Sequence, residues 1–184
     1  MSPLAGNTTF TADELLRMRD DARGFELVHG HLLEKTASRE SSKISGQIIY
    51  LLKLVAAKTL EAEVYNSELG YQCFKNDPNH IRKPDVSLVR SERLSALGNV
   101  GYMPIPADLA AEVISKIDLE YDVTSKVEEY LANGFRLVWV VDPQSKLVTI
   151  HRADGSVTKL RENDTITGES ALPTFQCKVA EFFV

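Results

Sequence analysis

The chain has 184 residues, with 43% hydrophobic and 26% charged side chains, the balance of an ordinary globular protein and not of a disordered segment. That length suffices for one core burying roughly 70% of the surface of the unfolded chain, and it predicts a single domain over residues 1–184. The net charge of −5 argues against a protein that coats nucleic acid through general electrostatics, but it leaves room for a nuclease, whose metal-binding centre is itself acidic and whose local basic clusters, such as His80-Ile81-Arg82-Lys83, can still meet phosphates.

Met1 to Gly6 lack the basic start and apolar stretch of a secretion or transit signal, so a cytoplasmic location is expected. Thr11-Ala12-Asp13-Glu14 forms a capping box ahead of a short helix to about Asp20. Phe25 to Glu34 reads as an N-terminal hairpin turning at His29-Gly30. From about Ser38 to Leu60, Ile44, Ile48, Leu51, Leu52, Val55 and Ala56 recur at helical spacing, which predicts a long core helix. Its apolar run is broken by Lys53 and is too short to span a membrane. Two strands are expected at Glu63–Glu68 and Gly70–Phe74, then a polar loop over 75–80 and a strand opening at Pro84-Asp85. Cys73 and Cys177 have no histidine nearby at ligand spacing, which speaks against a zinc knuckle or a disulfide framework.

Residues 91–106 read as a surface loop leading to the apolar strand Asp108 to Ser115. Asp122 to Asn133 forms an amphipathic helix with Val123, Val127, Tyr130 and Leu131 on one stripe, closed by Gly134. Arg136 to Val141, with the sole tryptophan Trp139, is the next strand. Strand, helix and strand in that order predict parallel neighbours joined by a right-handed crossover. A terminal hairpin is expected over Leu147–Arg152 and Ser156–Leu160. The fold class is therefore a mixed α/β sheet.

Asp85 opens one apolar strand and Glu112 sits in the middle of another. A buried, unpaired carboxylate costs several kcal/mol or more, so each must be protonated or held by a cation. Two carboxylates on neighbouring strands point to a metal site, and oxygen ligands suit Mg2+ or Mn2+. Such an ion can activate a water and stabilise charge on a phosphate, so phosphodiester hydrolysis is the reaction class that fits best.

Six segments extend this reading: Phe25 to Gly30, Pro84-Asp85-Val86, Glu112 to Ser115, Lys126 with Tyr130 and Gly134, Trp139 to Pro143, and Leu172 to Phe175. In that order the chain resembles the Uma2 family of restriction-endonuclease-like proteins within the PD-(D/E)XK nuclease superfamily. The resemblance implies a restriction endonuclease-like core with flanking helices and N- and C-terminal hairpins. It implies Asp85 and Glu112 as metal-binding acids, with the Val113 carbonyl as a further ligand and Glu26 as an additional catalytic acid. The superfamily pattern would put a lysine at Ile114, and in Uma2-like sequences that role moves to the following helix, here Lys126. Lys116 competes for it, since residues 112, 114 and 116 share one face of a strand. DNA is then the implied substrate, and a homodimer is implied for double-strand cleavage.

Blander roles stand beside these. Asp85 alone could cap a turn, Glu112 could form a structural salt bridge to Lys126 or Arg136, and Glu26 could face solvent at the start of its hairpin. Tyr130 and Trp139 suit the core, and His29, His31, His80 and His151 show no metal spacing. A catalytically inactive nuclease-fold protein that binds nucleic acid or a protein partner is the alternative function. A dimerisation role for the apolar Ala180–Val184 end is a third.

Overall fold

A computed structural model describes residues 8–115 and 120–184, so Lys116 lies outside the described residues. Thr11 opens α1 (Ala12–Arg17): its hydroxyl accepts from the Glu14 amide at 3.2 Å, and Glu14 accepts from the Thr11 amide at 2.8 Å. Amides that a helix start leaves without partners are thereby satisfied. The helix stops earlier than the expected Asp20, and a 3-10 turn over Arg19–Ala22 follows. β1 (Phe25–Val28) and β2 (His31–Glu34) pair around His29 and Gly30, at φ +50° and +78°, the doubly left-handed pair of a type I′ turn. α2 (Arg39–Thr59) starts at a second capping box, Ser38 with Ser41, and buries Ile44, Ile48, Leu52 and Ala56 at every fourth position.

The main sheet sets β3 (Ala62–Asn66), β4 (Val86–Arg90), β5 (Leu109–Val113), β6 (Leu137–Asp142), β7 (Leu147–Arg152) and β8 (Val157–Arg161) side by side in chain order. A four-residue helix, α3 (Ser91–Leu94), lies in the loop after β4. α4 (Glu120–Ala132) connects β5 to β6, which pair in parallel as expected, while the other pairings are antiparallel. Gly134 closes this helix at φ +93°, where a side chain would be strained.

Two expectations are corrected here. Gly70–Phe74 is not a strand; only Tyr71 bridges, to Arg82 on one side and Met103 on the other. Gly70 passes where a Cβ would come within 2.7 Å of the Ile81 and Tyr102 side chains, so side chains grip this stretch instead of a ladder. The β7–β8 hairpin is not terminal either. β9 (Thr165–Gly168) and β10 (Leu172–Lys178) form a separate pair, then a 3-10 turn covers Val179–Phe183. Their turn uses Glu169 at φ +47°, a position where no glycine signals the reversal.

Alternation along the strands sorts the core into two layers. Val86, Leu88, Leu109, Ala111, Trp139 and Val141 face α2 together with Phe175 and Phe182. The Trp139 ring lies 6.0 Å from Phe175 and 5.8 Å from Phe182, so the apolar C-terminal residues cover the chain's own core. Val89, Ala110 and Val138 face the other way, against Val127 and Tyr130 of α4 and Phe135. Glu112 and Ser87 belong by parity to this α4 side.

Asp108, just ahead of β5, is fully buried: its Oδ2 accepts from the Arg90 amide at 2.9 Å and from Arg93 at 2.7 Å, and its Oδ1 forms an ion pair with Arg136 at 3.0 Å. It ties β4, the following loop and β6 to the entry of β5, and it engages the Arg136 that was a candidate partner of Glu112. Replacing Asp108 by Ala leaves the Arg90 amide without its acceptor while Arg93 and Arg136, both partly exposed, regain water, so the expected cost is about 1–3 kcal/mol, read as a lower denaturant midpoint with an unchanged slope.

Candidate active site

β4 and β5 run antiparallel with Val86 opposite Ala111, and extending that register by one pair sets Asp85 opposite Glu112. The two carboxylates therefore stand on the same face at the end of the pairing. Asp85 does not cap a local turn. Its Oδ2 accepts from the Val113 amide at 2.8 Å, locking the mouth of β4 to β5, and its Oδ1 lies 2.7 Å from Lys35 Nζ.

Glu112, only 7% exposed, accepts from the Tyr130 hydroxyl at 2.8 Å through Oε1 and meets Lys126 Nζ at 3.1 Å through Oε2. Lys126 and Tyr130 stand one turn apart on α4 and so reach the same carboxylate. The lysine is shared: its Nζ also lies 3.1 Å from Glu26 Oε1. Glu26 is 1% exposed, which overturns a solvent-facing role.

The fold brings Glu26 here through the hairpin. Leu27 and Ile81 exchange backbone hydrogen bonds of 3.0 and 2.6 Å, which docks β1 against the segment ahead of Asp85. Glu26 then accepts from the Lys83 amide at 2.7 Å and pairs with Arg82 at 3.0 Å. Arg82 in turn meets Glu129 at 2.7 Å. Glu26, Lys35, Asp85, Glu112, Val113 and Lys126 all line one cleft of about 160 Å³.

The basic run His80-Ile81-Arg82-Lys83 is not a phosphate-facing patch. His80 and Lys83 are buried, and Arg82 is committed to two carboxylates. The run compensates acids inside the protein. Burial holds the Lys83 ammonium below its ordinary pKa despite the attraction of Glu68 and Glu26.

Electrostatics separate the two central glutamates. Burial works to raise the Glu26 carboxyl, but Lys126, Arg82, Lys35 and the Lys83 amide outweigh it and hold the group well below the usual carboxylate range. Glu112 goes the other way: burial raises it, Asp85 and Glu26 add to the rise, and Lys126 with Lys35 only partly oppose it. Burial would lower Lys126, yet the attraction of Glu112 and Glu26 prevails and raises it, so it remains an ammonium. Burial beside Glu112 lifts the Tyr130 phenol far above its ordinary value, which keeps it a donor.

Glu26, Asp85, Glu112, Val113 and Lys126, singled out from the sequence, thus meet in one place. Lys35 was missed. It follows Glu34 in a polar stretch with no periodicity, and only the docking of the hairpin reveals its position. Arg82 was read as an outward charge for the same reason, its partner Glu26 being remote in sequence.

A mixed sheet with a parallel strand–helix–strand unit, helices on both faces and paired carboxylates at adjoining strand ends defines a nuclease-like fold of the restriction endonuclease type. The chain belongs to the Uma2 family, described as "Putative restriction endonuclease", whose model matches residues 12–180. A solved structure described as a putative nuclease belonging to DUF820 from Anabaena variabilis ATCC 29413 superimposes with a TM-score of 0.78. It shares 19% identity over 95% of this chain and 97% of that one. No curated protein matches the chain.

The opposite shifts predict opposite stability effects. The folded pKa of Glu26 lies below its ordinary 4.5, so its contribution is present above that value and is lost as pH falls through the folded value. Glu112, raised above 4.5, stabilises most below 4.5 and loses that contribution as pH rises through its folded value. At pH 7, Glu26→Gln should cost about 3 kcal/mol, whereas Glu112→Gln should leave the melting temperature equal or higher. Two thermal melts check this.

Proposed function

We propose that the chain is a divalent-metal-dependent endonuclease that hydrolyses DNA phosphodiester bonds. Asp85 and Glu112 are assigned as ligands of Mg2+ or Mn2+ with the Val113 carbonyl as a further oxygen, Lys126 as the group that positions the attacking water, and Glu26 as the acid that holds Lys126. The observation that carries this reading is the single ammonium lying 3.1 Å from both Glu26 and Glu112, in the cleft that Asp85 shares.

The donor set fits a hard cation. All the acids offer oxygen, and carboxylate oxygens have lone pairs beyond those engaged by Lys35, Lys126 and Tyr130. The charged form of Glu112 is disfavoured where it stands, and a nearby dication relieves that cost. Such an ion would neutralise charge on the scissile phosphate and acidify a bound water. Lys126, its pKa raised, keeps its protons at neutral pH. Its part is donation: orienting the water and countering negative charge that develops on the phosphoryl oxygens. It is not a general base.

Charge balance supports a nucleic-acid substrate despite the acidic total. Glu26, Asp85 and Glu112 are faced in the cleft by Lys35, Lys126 and Arg82, so an added dication would offset the acids that remain, Asp122 on the lining and Glu129 behind Arg82, and remove the repulsion that a phosphodiester would otherwise meet. Cutting both strands needs two such sites, and a two-fold homodimer is part of the proposal.

A second reading rests on Lys35. Its ammonium sits 2.7 Å from Asp85 and donates to the Lys83 carbonyl, so lysines already compensate the acids, as in a nuclease-fold protein that binds without cutting. Incubation of supercoiled plasmid with Mg2+ separates the two. Wild type should nick, Asp85→Ala should not, and Lys126→Met should fall by about 10²–10³-fold. Equal nicking by wild type and Asp85→Ala removes the assignment, and no nicking together with no calorimetric heat for Mg2+ favours the binding role.

A further inference from the structure

We propose that His29, Asp77 and His80 form a second metal site, separate from the acidic cleft, that takes a borderline transition ion of the zinc class. The sequence hides it, because the histidines are far apart and neither belongs to a ligand motif. The fold joins them: His29 Nδ1 lies 2.7 Å and His80 Nδ1 3.8 Å from the same oxygen, Asp77 Oδ2. The imidazole rings meet edge to face with centroids 4.9 Å apart, and one ligand atom from each residue lies within 4.8 Å of the other two.

The decisive group is His80, 1% exposed. Its Nε2 stands 2.5 Å from Glu129 Oε1, close enough for an ion pair but without the alignment of a hydrogen bond, and a carboxylate at that nitrogen favours the tautomer with the proton on Nε2. With the proton on Nε2, Nδ1 presents its lone pair toward Asp77 Oδ2 at 3.8 Å, acceptor facing acceptor. A cation between them turns that repulsion into coordination. A carboxylate beside the far nitrogen of a histidine, as Glu129 stands beside His80 Nε2, is the setting that selects the tautomer of a metal ligand and raises its basicity.

The surroundings hold the triad in place. Asp77 Oδ1 accepts from the Asn79 amide at 2.9 Å, leaving Oδ2 for the site. The Asn79 side chain accepts from the Ala12 amide at 3.0 Å, and its carbonyl accepts from Gly30 at 3.1 Å. His29 sits at φ +50° in the hairpin turn, which aims it across at the loop. Its ring is 72% exposed and borders an open pocket of about 330 Å³, leaving room for water as a further ligand. Two imidazoles and one carboxylate with an open position suit zinc, whereas the all-oxygen set at Asp85 and Glu112 suits magnesium.

The test uses the full chain with the cleft acids replaced, Asp85→Asn with Glu112→Gln, so that failure here and failure of the nuclease reading are separable; wild type is titrated in parallel in case the double variant fails to fold. Zinc is added while calorimetry follows binding and NMR follows the imidazole signals of the four histidines. One equivalent should bind, shifting His29 and His80 and sparing His31 and His151, while Mg2+ moves none of them. Asp77→Asn keeps the Oδ1 acceptor for Asn79, and His29→Asn tolerates the left-handed turn. Each should weaken zinc by about tenfold or more. Absence of binding, shifts centred on His31 or His151, or affinity unchanged by Asp77→Asn would overturn the site.

Discussion

One ammonium organises this molecule. Lys126 reaches from α4 into a largely buried space between Glu26 of the hairpin and Glu112 of the sheet, at equal distances from both. Neither glutamate could be buried there alone, since an uncompensated carboxylate in the interior costs several kcal/mol. The lysine thus joins three segments that share no strand pairing with one another at this point. Arg82 closes the arrangement by holding Glu26 and Glu129 together. The hairpin is consequently not an appendage: its docking and the charge balance of the cleft are one electrostatic event.

The parts of the site that could be read from the sequence were those where chemistry contradicts context. Asp85 and Glu112 stand out because carboxylates interrupt residues otherwise suited to a buried strand; their meeting on one face comes from the β4–β5 register, which the sequence does not carry. Lys126 was legible through its spacing to Tyr130 and through the family resemblance. Glu26 stayed ambiguous, because a glutamate in a short hairpin looks the same whether it faces water or an arginine. Lys35, Arg82 and the His29–His80 pair were out of reach for a related reason: their surroundings are made by tertiary docking of polar stretches, which leave no periodic trace.

The fold divides along the same line. α2, α4 and the strands of the main sheet follow from apolar periodicity and capping chemistry that act over a few residues. Gly70–Phe74 misleads because its alternation is satisfied by Ile81, Tyr102 and single bridges at Tyr71, contacts that no local pattern encodes. The β9–β10 pair hides behind a turn in which Glu169 takes a backbone conformation usually left to glycine. Errors therefore gather where one segment's conformation is imposed by another.

Trp139 is the only tryptophan of the chain, and its indole is sealed between Phe175 and Phe182 on the side of the sheet away from the acids. Its emission is thus a built-in optical gauge of whether the C-terminal segment is seated. Because the sheet itself separates the fluorophore from the carboxylates, that signal tracks the integrity of the scaffold and stays silent about what occupies the opposite side.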